Sequence, residues 1–171
     1  AIWITPIRAL AKEIRQSAER AIEEMKLHYT VGVRTGDTST AERAKQKRQM
    51  PNLLITTPES LHLLLAGKDN HRTFKGLHSV IVDEGHELMG SKRAVQMELG
   101  LCRLRGMNPK LQTWGISATI GNMEQAMEVL LGPHFPEAQT SLIRSGTRKK
   151  IELESVLPDT VEVLPWSGHL G

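Results

Sequence analysis

The chain has 171 residues, of which 39% are hydrophobic and 24% are charged, a composition typical of one folded domain with a sizeable core rather than of a disordered segment. The net charge of +3 allows a local basic face suited to nucleic acid, although a solvated surface of mixed charge fits it equally well. A single cysteine, Cys102, excludes a disulfide framework, and no apolar run approaches the length of a membrane span. We therefore expect a cytoplasmic protein without a membrane contact.

Strands and helices alternate along the chain. The apolar pattern predicts strands over residues 1–4, 31–34, 53–56, 78–83, 113–117, 141–144 and 151–156, the last of them an edge strand. It predicts helices over residues 7–27, 41–49, 61–66, 92–105 and 123–131. A hydroxyl cap followed by proline, at Thr5-Pro6 and at Thr57-Pro58, predicts where the first and third helices start. The alternation predicts an α/β fold with a mostly parallel sheet covered by helices on both faces.

The predicted helix at 92–105 carries the cysteine. Its apolar residues recur at helical spacing, and we expect the face that they form to pack on the sheet: Val95, Leu99, Cys102 and Leu104. In that setting Cys102 is a small core residue rather than a nucleophile or a metal ligand.

The most informative stretch is the predicted strand that ends in acids. Val80-Ile81-Val82 is typical of a buried parallel strand, and Asp83-Glu84-Gly85-His86 follows it directly. Ligands of open α/β sheets bind at the carboxyl ends of strands. There, Asp83 would suit Mg²⁺ and Glu84 would suit the orientation of an attacking water. Taken alone, the residues slightly favour a plain acidic turn that caps the next helix.

Five of the predicted strands end in polar clusters. The clusters are Thr5-Pro6-Ile7-Arg8, Thr35-Gly36-Asp37, Thr56-Thr57-Pro58-Glu59, Asp83-Glu84-Gly85-His86 and Ser117-Ala118-Thr119. Each cluster alone has an ordinary explanation as a cap or a turn. In this order and at these separations, they resemble the motor motifs of superfamily 2 helicases, with Asp83 through His86 as the DExH box.

Longer stretches extend the resemblance over the whole chain. Residues 3–11, 34–39, 82–88, 92–93, 114–122 and 165–171 resemble the large helicase-related (Lhr-type) DNA helicases, and most of all their ligase-associated DExH branch. Gly85 departs from that branch, which usually has tryptophan there, so the departure bears on the subfamily rather than on the chemistry. The resemblance implies a RecA-like fold of the P-loop NTPase class.

The same resemblance implies roles for individual residues at the nucleotide. Asp83 would coordinate the Mg²⁺ of ATP, and Glu84 would position the hydrolytic water. His86, Ser117 and Thr119 would couple the nucleotide state to the path of the strand.

A second group of residues is implied to contact the nucleic-acid backbone. Thr5, Arg8, Gly36, Thr57 and Glu59 match family positions of this kind, and Arg34 shares their predicted edge of the sheet. Hydroxyls, amides at helix N-termini and arginines suit phosphates, which position a strand without reading its sequence.

The sequence lacks a P-loop, which needs a glycine, four residues and then Gly-Lys-Ser or Gly-Lys-Thr. Gly67-Lys68 is followed by Asp69 and has His62 where the first glycine belongs. The resemblance implies that the Walker A strand and loop precede residue 1 and that a second RecA-like domain, which bears an arginine, follows residue 171. We therefore expect a truncated first RecA-like domain over 1–157, a connector over 158–171, and no ATPase activity of the chain alone.

The expected function is the motor core of an ATP-dependent DNA helicase acting in DNA repair, with ATP and Mg²⁺ as cofactors. Expected partners are single-stranded or partly duplex DNA, the second RecA-like domain of the same parent chain, and a DNA ligase or nuclease encoded nearby. The rivals are an RNA helicase motor domain, a non-catalytic nucleic-acid-binding module and a metal-dependent hydrolase with Asp83, Glu84 and His86 as ligands. The hydrolase ranks last because consecutive strand residues point to opposite faces.

Overall fold

The computed structural model describes residues 1–83, 92–117, 123–132 and 140–144, and the side chains of the two helices that begin at Lys92 and Met123 from residues 94 and 124 onward. The chain forms two compact units, residues 1–139 and 140–171. In chain order the first unit contains β1 (Ile2–Ile4), α1 (Arg8–Glu24), β2 (Val31–Arg34), α2 (Thr40–Arg48), β3 (Leu53–Thr56), α3 (Pro58–Leu65), α4 (Asn70–Phe74), β4 (Ser79–Val82), α5 (Lys92–Met107), β5 (Gln112–Gly115) and α6 (Met123–Leu131). None of the described helices is long and apolar enough to cross a membrane.

The five strands form one parallel sheet in the order β2-β3-β1-β4-β5. Ile4 is in register with both Thr56 and Val82, and the outer strands continue the row through Arg34 and Gly115. The predicted α/β fold with a mostly parallel sheet is confirmed. Because all strands run the same way, their carboxyl ends lie along one edge.

Helices cover the sheet on both faces. On one face, apolar residues of β1, β3 and β4 form the core with α3, α4 and α5: Ile2, Ile4, Leu54, Leu61, Leu65, Phe74, Val80, Val82, Met97, Leu101 and Leu104. On the other face, Ile55 is fully buried and α1 packs against β2 and β3. Alternate strand residues point to opposite faces, so apolar runs such as Leu53–Thr56 are what a sheet covered on both sides requires.

The predicted core face of α5 is correct at Leu104, which is fully buried, and wrong at the other three residues. Val95 and Leu99 are 57% and 59% exposed, and Cys102 is also exposed, so it is not the small core residue that we expected. The buried residues are Met97, Gly100, Leu101 and Leu104, at spacings of three, one and three. A Cβ at Gly100 would lie 3.2 Å from Leu61 Cδ2. Because glycine permits this close approach of α3, the helix turns the Gly100 side inward.

The predicted start of α1 is also wrong, because the helix begins at Arg8 with Ile7 as its N-cap. Thr5 lies directly after β1, and its N–H still donates to the carbonyl of Thr56 at 3.0 Å, so the hydrogen bonds between the strands continue to it. The Thr5 hydroxyl accepts from the Ile7 N–H at 3.4 Å, so it shapes the entry to the helix from two residues upstream. The predicted start of α3 is confirmed: Thr57 caps it and Pro58 is its first residue.

One short helix, α4, was not predicted from the sequence. Three further predictions concern residues after 140. Residues 141–144, which were predicted to form a strand, are exposed and form none. The predicted strand at 151–156 and the predicted connector at 158–171 lie outside the described residues.

Candidate functional site

The carboxyl ends of the five strands bring the described parts of the five polar clusters to one edge of the sheet. In the order of the strands, the first polar residues beyond them are Thr35, Thr57, Thr5, Asp83 and Ser117, and we call this set the tip row. Hydrogen bonds between neighbours continue the ladder into it: the Asp83 N–H donates to the Ile4 carbonyl at 2.9 Å. Glu84, His86 and Thr119 lie outside the described residues.

Asp83 is the acidic member of the tip row. Its carboxylate Oδ2 accepts a hydrogen bond of 3.2 Å from the indole Nε1 of Trp3, in a partly buried position. Trp3 is in register with Ile81, two residues before Asp83 and therefore on the same face of the sheet. Trp3 was not among the predicted site residues, although its position two residues before Thr5, at the end of β1, places it on the face of the sheet that carries Asp83.

A carboxylate at a strand end is a suitable ligand for a hard cation such as Mg²⁺. Among the residues that the structure describes, no group of three His, Cys, Asp or Glu side chains could hold a metal ion by itself. Asp83 would therefore contribute one ligand to a cation that is bound chiefly through phosphates and water, which is how Mg²⁺ is usually held beside nucleotides.

The threonines of the tip row are buried, and their hydroxyls fix local structure. Thr5 and Thr57 are 0% and 2% exposed. Thr57 Oγ1 accepts from the N–H of Ser60 at 3.4 Å and so caps α3. Thr56 Oγ1 donates to the carbonyl of Arg34 at 2.8 Å and ties β3 to β2. A ligand at this edge would therefore meet backbone amides and the exposed side chains next to the threonines.

Arg8 and Gly36 lie together at the exposed end of the tip row. Arg8 Nη1 is 3.4 Å from Asp37 Oδ1, and both side chains are largely exposed. A Cβ on Gly36 would lie 3.2 Å from Arg8 Nη2, so the glycine allows the guanidinium to rest against the turn. Exposed ion pairs of this kind contribute little, about 0–1 kcal/mol, so an arriving phosphate can replace the carboxylate at low cost. Glu59, in the first turn of α3, is exposed as well.

Arg43 holds the turn on which Arg8 rests. Its Nη2 donates to the carbonyls of Thr35 at 3.1 Å and Gly36 at 3.0 Å, and its Nε donates to the carbonyl of Thr38 at 2.9 Å. Arg43 was not among the predicted site residues. No motif marks such a residue, because its partners are backbone carbonyls, which every sequence provides.

Arg34, the last residue of β2, lies beside this turn. It is in register with Thr56, so its side chain is on the sheet face that carries α2 and α3 rather than above the tip row. Burial lowers the pKa of the Arg34 guanidinium, and the positive charge of Arg43 lowers that pKa further.

Gly67-Lys68 follows helix α3 rather than a strand. A P-loop joins the carboxyl end of a strand to a helix, so the structure agrees with the sequence in excluding these residues as one.

The chain is similar to helicases. The family model described as DEAD/DEAH box helicase matches residues 1–127. The chain is 35% identical over 142 residues to the Lhr helicase/uracil glycosylase of Escherichia coli. The aligned residues make up 77% of this chain and 9% of that protein. It is 30% identical over 167 residues to the ATP-dependent helicase Lhr-Core of Methanothermobacter thermautotrophicus, and this alignment covers 92% of this chain and 19% of that protein.

A solved structure supports the same relationship. The Mycobacterium smegmatis helicase Lhr bound to ssDNA and AMP-PNP superposes with a TM-score of 0.68 at 34% identity, over 77% of this chain and 18% of that one. The chain therefore spans less than a fifth of the length of each of these three proteins.

Proposed function

We propose, since the chain belongs to the DEAD/DEAH box helicase family and its relatives are Lhr-type helicases, that it forms part of the first RecA-like motor domain of an ATP-dependent DNA helicase. The observation that supports this best is the tip row: five parallel strands end side by side in polar residues, with Asp83 among them. Assignment to the ligase-associated branch stays a prediction.

At the nucleotide, Asp83 is proposed to bind Mg²⁺, which when bound neutralises the charge of the phosphates. The Trp3 indole holds one oxygen of that carboxylate, which limits its rotation at the strand end. Glu84 would position the attacking water. His86, Ser117 and Thr119 would couple the nucleotide to the strand path.

Along the tip row, the nucleic-acid backbone would be contacted by exposed groups. Arg8 provides a guanidinium, and the turn at Gly36 provides backbone amides close to it. Thr5 and Thr57 would act through the backbone that their hydroxyls shape, and Glu59 would lie beside a sugar rather than a phosphate because of its charge. Such contacts give affinity without sequence preference.

The phosphate-binding loop is proposed to come from outside these 171 residues, on a strand and helix that complete the sheet at β5. On the sheet face that carries α1, Trp114 and Ile116 at this edge strand are 55% and 46% exposed. Asp83 stands on the neighbouring strand, so a loop arriving at the carboxyl end of an added parallel strand would reach it. Adding the upstream segment should protect Trp114 from acrylamide quenching.

The proposed function is tested by ATP hydrolysis in the parent protein. The parent should hydrolyse ATP in a DNA-stimulated way, and Glu84→Gln should abolish turnover while leaving nucleotide binding in place. Phosphate release by the 171 residues alone should match buffer, because the P-loop and an arginine from a second domain are both required; such an arginine contributes about 10³–10⁵ in rate in related enzymes. Turnover by the isolated chain, or an active Glu84→Gln parent, would contradict the assignment.

An RNA helicase is the alternative that the described residues also fit, because backbone contacts serve either nucleic acid. Strand displacement with matched DNA and RNA tracking strands separates the two, and we expect activity on DNA. A cytoplasmic location, a role in DNA repair and a partnership with a nearby-encoded DNA ligase or nuclease complete the proposal. Co-purification of such an enzyme with the tagged parent protein tests that partnership.

A further inference from the structure

A groove runs along the side of the sheet between α2 on one wall and α3 and α4 on the other. It has a volume of about 470 Å³, within the range of about 300–1,000 Å³ that is usual for ligand sites. Its polar and charged lining includes Arg34, Arg43, Lys47, Lys68 and Asp69, and we call it the side groove. None of these residues except Arg34 belongs to the nucleic-acid positions predicted from the sequence.

The charge of the side groove is positive and only partly compensated. Lys47 Nζ is 3.5 Å from Asp69 Oδ2, so that pair is neutral as a unit. Among the described residues, neither Arg34 nor Lys68 has an ion-pair partner. Arg43 donates its hydrogen bonds to backbone carbonyls, which are neutral, so its positive charge is also uncompensated. Three cations thus face one cavity, an arrangement that an anion would stabilise.

The side groove is continuous with the tip row. Arg43 lines the groove and also holds the turn at Gly36, on which Arg8 rests. Arg34 is the last residue of the edge strand β2, where a nucleic-acid strand crossing the tip row would leave the sheet. Met50, Leu63 and Leu64 add apolar lining suited to sugars or bases next to the charged groups.

We propose that the side groove binds phosphates of the nucleic-acid strand after it leaves the tip row at β2, with Lys68 as the contact farthest along that path. This proposal rests on the proposed function. It adds a backbone contact at the end of α3, and it predicts that affinity keeps rising when the oligonucleotide is extended beyond the tip row.

The test is a binding titration of the parent protein with labelled oligothymidylates of about 4 to 16 nucleotides, the usual span of single-strand sites. Affinity is measured by fluorescence anisotropy at several salt concentrations. Loss of one phosphate contact should reduce the slope of log K against log salt by about 0.7. Lys68→Gln should show this loss with long oligonucleotides and not with the shortest, and Lys68→Arg should restore the slope.

Two further variants make the outcome decisive. Lys110→Gln removes another exposed positive charge, from the loop before β5 at the opposite side of the sheet from β2, and should leave the slope unchanged. Arg8→Ala removes the guanidinium beside the tip row and should weaken binding at every length. Equal thermal melting of all variants shows that folding is intact.

If Lys68→Gln changes nothing while Arg8→Ala weakens binding, the side groove proposal is overturned and the proposed function stands. If neither variant changes binding, the interface at the tip row fails as well. A Lys68→Gln effect that is equal at all lengths, or Lys68-dependent binding of polyglutamate without any effect on DNA, would also overturn the proposal, the latter in favour of an acidic protein partner.

Discussion

Replacing Gly100 with alanine tests the close packing of α5 against α3. The new Cβ would lie 3.2 Å from Leu61 Cδ2 and 3.7 Å from Leu65 Cδ1. Leu61 is fully buried in the core, so it has little room to move. Alanine gains about 1 kcal/mol over glycine in a helix interior, whereas overpacking a core costs about 1–3 kcal/mol. We expect Gly100→Ala to destabilise the fold by about 0–2 kcal/mol.

Gly106 in the same helix is the matched control. A Cβ there would meet nothing within 4 Å, so Gly106→Ala keeps the helix-propensity gain, reduced to about 0.5 kcal/mol by its position next to the helix end. Urea unfolding followed by circular dichroism should show a lower midpoint for Gly100→Ala than for Gly106→Ala at an unchanged m-value. In a double-mutant cycle, Leu61→Val should relieve the crowding and give a favourable coupling of about 1 kcal/mol with Gly100→Ala.

The result that would refute this reasoning is a Gly100→Ala variant as stable as Gly106→Ala, without coupling to Leu61→Val. The two helices would then not touch at Gly100. The exposure of Val95, Leu99 and Cys102 on the far side of α5 would lose its explanation.

Other predictions concern single contacts. Trp3→Phe keeps an aromatic ring and removes the donor that orients the Asp83 carboxylate. Because loss of such a partner typically weakens metal binding by about 10–100-fold, the parent ATPase should need roughly tenfold more Mg²⁺ for half-maximal rate at an unchanged maximum; an unchanged requirement would count against this role. Lys26 follows α1 with a φ of 54°, a left-handed conformation that glycine adopts more easily than lysine or alanine. Lys26→Gly should therefore raise the unfolding free energy by about 0.5–1 kcal/mol, and Lys26→Ala should not raise it. Arg105→Ala removes the 2.6 Å hydrogen bond to the Leu130 carbonyl and should speed amide exchange in α6, while unaltered exchange would show that the bond does not hold the helix.

The strands and helix caps that depend on local sequence patterns were predicted best. The strand Leu53–Thr56 and the cap of α3 at Thr57 were predicted correctly, because a short apolar run that ends in β-branched residues and a Thr-Pro pair carry their own structural preference. The tip row followed from parallel strands, whose ends must share an edge. The short helix α4 was missed because five residues are too few to show a helical period.

What the sequence could not show depends on contacts between distant segments. The inward face of α5 is set by the contact of Gly100 with Leu61. A search for hydrophobic periodicity does not count glycine as an apolar residue, so it does not mark this face. Arg43 and Trp3 act through hydrogen bonds to a turn and to a carboxylate that only the folded backbone brings near. The side groove likewise exists only after α2 and α3 pack on the same face of the sheet.

Among the strands that the structure describes, β5 lies at one edge of the sheet, and this has a consequence for handling the chain by itself. An open edge strand offers its backbone donors and acceptors to any other strand, and Trp114 and Ile116 add apolar surface next to it. Two copies can therefore join at the same edge that we propose the phosphate-binding unit occupies. We expect the isolated chain to self-associate as its concentration rises, and an upstream segment supplied in trans to dissolve those assemblies by competing for the edge.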